Sequence, residues 1–138
     1  MATVLLVDDQ ELSRRLRAAT GVQAETYTTG CWYLRLCEAA LASRGGALSA
    51  PLQRLSRARR DVALQAILEL PSSVGLLSLR ELGPLMGQLR IRHRLNLLSS
   101  EALAAAVHLN AEVQLSATAP RLEAALDAHG CPVNRLYE

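Results

Sequence analysis

The chain has 138 residues, half of them hydrophobic, and a net charge of +2. That length fits one domain around one core, residues 1–138. The charge is too mild to announce a nucleic-acid binder. Cys31, Cys37 and Cys131 form neither a disulfide framework nor a zinc-ligand spacing, and no apolar run reaches the ~18 residues of a membrane span.

Phe is absent and aromatic residues make up 3%, so the core must come from Leu, Val and Ala. Leu and Ala favour helices, which predicts helices around a short sheet. Residues 3–7 are a continuous apolar, β-branched run suited to a buried parallel strand. With no basic leader and no cleavage site, the run reads as a strand and not as a signal peptide. It ends in Asp8 and Asp9, at the strand end that faces the ligand crevice in open α/β sheets. Residues 10–19 read as a helix with Leu12 and Leu16 on one face. Residues 25–29 are a second strand, broken by Gly30. Residues 31–42 are helical, with Leu34, Cys37 and Leu41 at helical spacing, and Gly45-Gly46 is a loop.

Residues 49–70 hold a helix or a bent pair, with Pro51 in a first turn and Pro71 closing it. Residues 74–77 are a third strand. Ser78-Leu79-Arg80-Glu81 has the form of a capping box and opens a helix to His93, unless Gly83 and Pro84 delay its start. Ser99-Ser100-Glu101 opens an Ala- and Leu-rich helix to His108. Residues 112–115 are a strand. Thr118 is the expected N-cap of a helix that has Pro120 in its first turn, runs to Ala128 and closes at Gly130. Residues 133–136 are a last edge strand. Alternating strands and helices predict an α/β fold with a mostly parallel sheet covered on both faces.

Val4-Leu5-Leu6-Val7-Asp8-Asp9-Gln10-Glu11-Leu12 resembles the opening of a response-regulator receiver domain, whose acid pair binds magnesium. That family also needs an acceptor Asp after its third strand and a Lys after its fifth. Near the acceptor position the sequence reads Leu52-Gln53-Arg54-Leu55-Ser56-Arg57, and all basic residues are Arg. The likeness stops after the first strand and helix, leaving a degenerate receiver as the weakest reading.

A broader likeness is carried by Leu68-Glu69-Leu70-Pro71, Arg94-Leu95-Asn96-Leu97-Leu98-Ser99-Ser100-Glu101-Ala102-Leu103-Ala104-Ala105-Ala106, Leu109-Asn110-Ala111-Glu112-Val113, Arg121-Leu122-Glu123-Ala124-Ala125 and Gly130-Cys131-Pro132-Val133. Together with the strand ending in Asp8, these resemble a PIN domain of the type found in bacterial VapC toxins. The resemblance implies a PIN-like α/β fold, a central mostly parallel sheet of four or five strands flanked by helices. It also implies a ribonuclease in which carboxylates at the strand ends hold Mg²⁺ or Mn²⁺. Such hard ions need oxygen ligands; they orient water and stabilise the phosphoryl transition state.

By that resemblance Asp8 matches the first acid. Glu101 falls where the family usually has Asp, at the start of the Ala-rich helix. The second acid falls on Arg35, with Glu38 one turn on as a substitute. The segment for the fourth acid, Ser116-Ala117-Thr118-Ala119-Pro120, carries none. Asp8 and Glu101 are therefore the expected catalytic pair, and Asp8, Glu101 and Glu38 the expected metal ligands.

Each residue also has a plainer reading. Asp8 or Asp9 can cap the following helix, the role expected of Asp9. Glu101 can be a favourable acid at a helix N-terminus. Arg35 can pair with Asp8 in place of the cation, or be an exposed helix residue. Arg54, Arg57, Arg59 and Arg60, and again Arg90, Arg92 and Arg94, can track a phosphate backbone or be solvated faces. Arg35, Arg54, Arg57 and Arg60 form the expected RNA-binding set. Trp32 and Tyr33 can stack bases beside Arg35 or belong to a core or dimer interface. His93, His108 and His129 show no pairing that suggests catalysis, and His129 suits a helix C-terminus.

Two functions follow as expectations. One is a cytoplasmic, toxin-like, Mg²⁺- or Mn²⁺-dependent endoribonuclease with an antitoxin-like partner. The other is a catalytically inactive PIN-like protein that binds RNA or a protein. In either case the resemblance implies a homodimer.

Overall fold

The computed structural model describes residues 3–18, 24–42 and 46–138. Five strands, β1 (Val4–Val7), β2 (Glu25–Thr28), β3 (Val74–Leu76), β4 (Glu112–Leu115) and β5 (Val133–Arg135), form one sheet in the order β3-β2-β1-β4-β5. Every neighbouring pair is parallel. The flanking helices are α1 (Asp9–Ala18), α2 (Gly30–Ala42), α3 (Ala50–Gln53), α4 (Arg57–Leu68), α5 (Leu79–His93), α6 (Leu97–Leu109) and α7 (Pro120–Ala128). The fold is thus the expected α/β class. No helix among the described residues is long and apolar enough to cross a membrane.

The side-chain alternation of β1 divides the core. Leu6 packs with Leu82, Leu103 and Leu122 from α5, α6 and α7. Leu5 and Val7 point the other way, onto Leu12, Leu36 and Ile67 from α1, α2 and α4. A strand buried on both faces needs a continuous apolar run, which residues 4–7 supply. Helix α6 is buried along Ala102–Leu103–Ala104–Ala105–Ala106, as an all-round apolar helix must be. The chain runs outward from β1 to β2 and β3, then returns to lay β4 on the other side of β1. The carboxyl ends of β1 and β4 therefore flank a topological switch point, where α/β sheets place ligands.

Local chemistry departs from the expectations at three places. The Ala-rich helix begins at Leu97, because the side chain of Asn96 accepts the Ser99 N–H at 2.8 Å. Glu101 lies a turn inside it and not at its start. By contrast, α5 runs to His93 as expected, its Ser78 cap accepts the Glu81 N–H, and Gly83 and Pro84 do not delay its start. Thr118 is not the N-cap of α7. Ala119 holds that position, and the Glu123 carboxylate reaches back to accept its N–H at 2.8 Å. Finally, α2 buries Trp32, Leu36 and Ala40, whereas Leu34 and Leu41 are 58% and 72% exposed. The residues of α2 are apolar on two stripes, and the stripe that meets α1, α4 and α6 is the one carrying Trp32.

Glu123 was singled out only as part of a family likeness, yet it fixes the last strand. Its carboxylate accepts from Arg135 Nε and Tyr137 Oη, both at 2.6 Å. Burial pushes its carboxyl up, but Tyr137, the Ala119 N–H and Arg135 outweigh that and hold it below the ordinary value.

Candidate functional site

The chemistry-bearing side chains gather where β1, β2 and β4 end. Asp8 follows β1 directly and is 5% exposed. Its Oδ1 accepts the Glu11 N–H at 2.9 Å and the Ser116 hydroxyl at 2.9 Å, and its Oδ2 accepts the Ser116 N–H at 2.6 Å. Asp8 is therefore the N-cap of α1 and also clamps the turn after β4. The capping role expected of Asp9 belongs to Asp8. The Asp8-x-x-Glu11 spacing was the available signal, since it is a capping-box pattern. Ser116, which occupies the acid-free segment, was the missed partner.

Asp9, the first residue of α1, is buried. Its Oδ1 accepts the Gln10 N–H at 2.8 Å. Its Oδ2 has no hydrogen bond and lies 3.4 Å from Arg35 Nε. Arg35 thus pairs with Asp9 and not with Asp8, correcting the expected partner. Burial raises the Asp9 carboxyl above its ordinary value of 3.8; Asp8 adds to this, while Arg35 and the Gln10 N–H oppose it. A carboxyl raised in the folded state destabilises the fold once it ionises. That loss is absent below the ordinary value and complete above the folded one. Asp9→Asn keeps the shape without the charge. It should raise Tm near neutral pH and leave it unchanged in strong acid. A lower Tm near neutrality would show that the Arg35 pair outweighs the burial.

Glu11 is also buried, but its oxygens accept from Arg14 at 2.7 Å and from Arg15 at 2.9 Å. Burial raises its carboxyl, and the two guanidiniums outweigh this and hold it low. Arg15 continues to the Gln114 side chain of β4 at 2.9 Å.

Glu101 is 3% exposed, and its Oε1 accepts the Cys31 N–H at 2.7 Å. It thereby closes the N-terminus of α2, where a negative group is favourable. The approach is close: a Cβ on Gly30 would lie 3.1 Å from Glu101 Oε2. Burial, and then Glu101, push the Cys31 thiol up to about 11, which leaves it un-ionised near neutral pH and a poor nucleophile.

Glu38 is exposed on α2. It lines, with Gln10, Arg35, Ala39 and Ser49, a surface pocket of about 670 Å³. Among the described residues no three His, Cys, Asp or Glu side chains gather to hold a metal ion, so Asp8, Glu38 and Glu101 are not brought together. The strand-end carboxylates also have other partners to give up before they could hold Mg²⁺ or Mn²⁺. Magnesium gives up its waters reluctantly and needs free carboxylate oxygens. Asp8 already accepts three hydrogen bonds, Asp9 faces a guanidinium, and Glu101 caps α2.

Of the expected RNA-binding arginines, Arg54 and Arg57 are exposed. Arg60 is half-buried and donates to the carbonyls of Leu52, Gln53 and Leu55, which satisfies the C-terminus of α3. His93 and His129 meet Nε2 to Nε2 at 2.9 Å. His129 sits at the end of α7 as foreseen, but burial, His93 and Arg92 hold its pKa below the ordinary value, so it is not the helix-end cation expected there. No protein-family model matches this sequence, and no curated protein is significantly similar to it.

Proposed function

We propose that this chain is a PIN-like domain that binds RNA without metal-dependent cleavage. The observation that carries the reading is the Asp8 carboxylate, which accepts from Glu11 and twice from Ser116 where a nuclease would present it to an ion. The parallel sheet, with Asp8 at the end of β1 and Glu101 in the helix before β4, supports the PIN-like part of the reading.

The binding part rests on a run of guanidiniums. Arg14 and Arg17 share a pocket with Gln10 and Ser116 at the strand ends, and Arg17 shares the next pocket with Arg59. The run leads from the switch point along α1 to α4, with Arg54 and Arg57 exposed nearby in sequence. Guanidinium forks match phosphate oxygens, and each phosphate neutralised releases counterions.

The test is incubation of RNA with the purified protein in Mn²⁺, Mg²⁺ or EDTA, with Asp8→Asn as control, alongside an RNA retention assay over a salt series. The expected result is no cleavage above the Asp8→Asn background, with retention that weakens as salt rises and falls further in Arg17→Ser and Arg59→Ser. Metal-dependent cleavage lost in Asp8→Asn would overturn the reading in favour of a ribonuclease using Asp8 and Glu101. Absence of both cleavage and retention would also overturn it and point to a protein partner.

A further inference from the structure

We infer that the pocket between the end of α5 and α7 is a binding site for a phosphate-class oxyanion, built by His93, Arg94 and Arg121, with His129 in contact with His93. The site is independent of the RNA reading, for α5 and α7 pack on the opposite face of the sheet from α1 and α4. The pocket is about 380 Å³ and is lined by His93, Arg94, Arg121, Ala124 and Ala125. The two alanines leave the space, and every polar side chain in the lining is basic. Arg94 and Arg121 are exposed, and neither makes an ion pair or hydrogen bond through its side chain among the described residues. Two guanidiniums without protein partners in one pocket match a tetrahedral oxyanion.

Backbone and ring geometry support the same assignment. Arg94 closes α5 in the left-handed conformation, φ 53°, ψ 44°, where Gly or Asn is the ordinary choice. An Arg held there is a strained residue of the kind found at ligand sites. The His93 and His129 rings meet edge to face, with centroids 5.1 Å apart. In their contact one Nε2 donates and the other accepts. The charged groups that face the pair are Arg92 and Arg94 from the end of α5 and Arg121 from α7. Burial, His93 and Arg92 already resist protonation of His129. The same positive surroundings disfavour a metal cation and favour an anion.

The experiment follows the histidine ring signals by NMR as inorganic phosphate is added, against chloride at equal ionic strength. Phosphate should move the His93 and His129 signals and raise the pH at which His129 titrates. His108, 3.9 Å from Glu81 on another part of the surface, should not respond. Arg121→Ser should weaken the phosphate response about tenfold or more. Arg94→Asn, which keeps the left-handed conformation, should do the same, and Arg57→Ser should leave it unchanged. A short RNA lacking terminal phosphates identifies the source. Competition at lower concentration than phosphate means a phosphodiester, and no competition means free phosphate or a monoester. Both results support the site. No response to either probe, or a response that survives Arg121→Ser, overturns it.

Discussion

Replacing Asp8 by Ala lowers stability by about 3 kcal/mol, seen as a fall in the denaturant midpoint at unchanged slope. Three donors lose their acceptor at once. The Glu11 N–H is an orphan of the first turn of α1, and such caps contribute about 1 kcal/mol. The Ser116 N–H and hydroxyl are held at 2.6 and 2.9 Å by the same carboxylate, and two such hydrogen bonds together contribute about 2 kcal/mol. Asp8→Asn keeps the shape and one acceptor but turns an N–H toward a donor, so its loss is smaller, about 1–2 kcal/mol. A double-mutant cycle with Ser116→Ala separates the cap from the clamp. Coupling of at least about 0.5 kcal/mol is expected between these contacting residues, and strict additivity would mean that the turn after β4 does not depend on Asp8. The size of the effect also governs how activity data are read. Loss of any function in Asp8→Ala reports a loosened switch point as readily as a lost ligand, which is why Asp8→Asn is the control for cleavage.

The clamp shows where the sequence is transparent and where it is not. Strand β1 is legible because four successive apolar residues ending in two acids admit few other structures. The cap of α1 is nearly legible, since Asp8 and Glu11 stand at capping-box spacing. The Ser116 half of the clamp joins residues 108 positions apart, and no local pattern marks Ser116 as the partner. The histidine pair is hidden for the same reason, across 36 positions. Helix α2 fails differently. Its apolar residues fill two stripes, and periodicity alone cannot say which stripe meets the neighbouring helices. Asn96 was overlooked because Ser99 and Ser100 offered the more familiar caps, although Asn is an equally good one.

The carboxylates at the strand ends all have partners within the protein. The carboxylates are where a metal site would be expected, but each is spoken for by the protein itself: Asp8 by backbone and hydroxyl donors, Asp9 by Arg35, Glu11 by two arginines, Glu101 by Cys31. Buried carboxylates held by such partners organise the turns and helix starts at the strand ends. Outside them Arg17 lines the pocket that Gln10 and Ser116 share at the strand ends, and with Arg59 it lines a second pocket between α1 and α4, while the negative charge turns inward.

Glu101 gives the sharpest separation of the two uses. Glu101→Ala should lower stability by about 3 kcal/mol, because it opens a cavity beside the buried alanines of α6 and orphans the Cys31 N–H. Glu101→Gln keeps both size and acceptor, and its loss should stay under about 1 kcal/mol. Glu101→Asp is shorter by one methylene and should draw back from the N-terminus of α2, at an intermediate loss of about 1–2 kcal/mol. A metal ligand would give another order. Mn²⁺ would then raise the Tm of the parent by binding only the folded state, and Glu101→Gln would abolish that rise while Glu101→Asp kept it. With Glu101 closing α2, Mn²⁺ should leave all four proteins unchanged, and the order of stability should be parent, Gln, Asp, Ala. A Mn²⁺-dependent rise confined to the parent and Glu101→Asp would reassign Glu101 from fastening α2 to holding an ion.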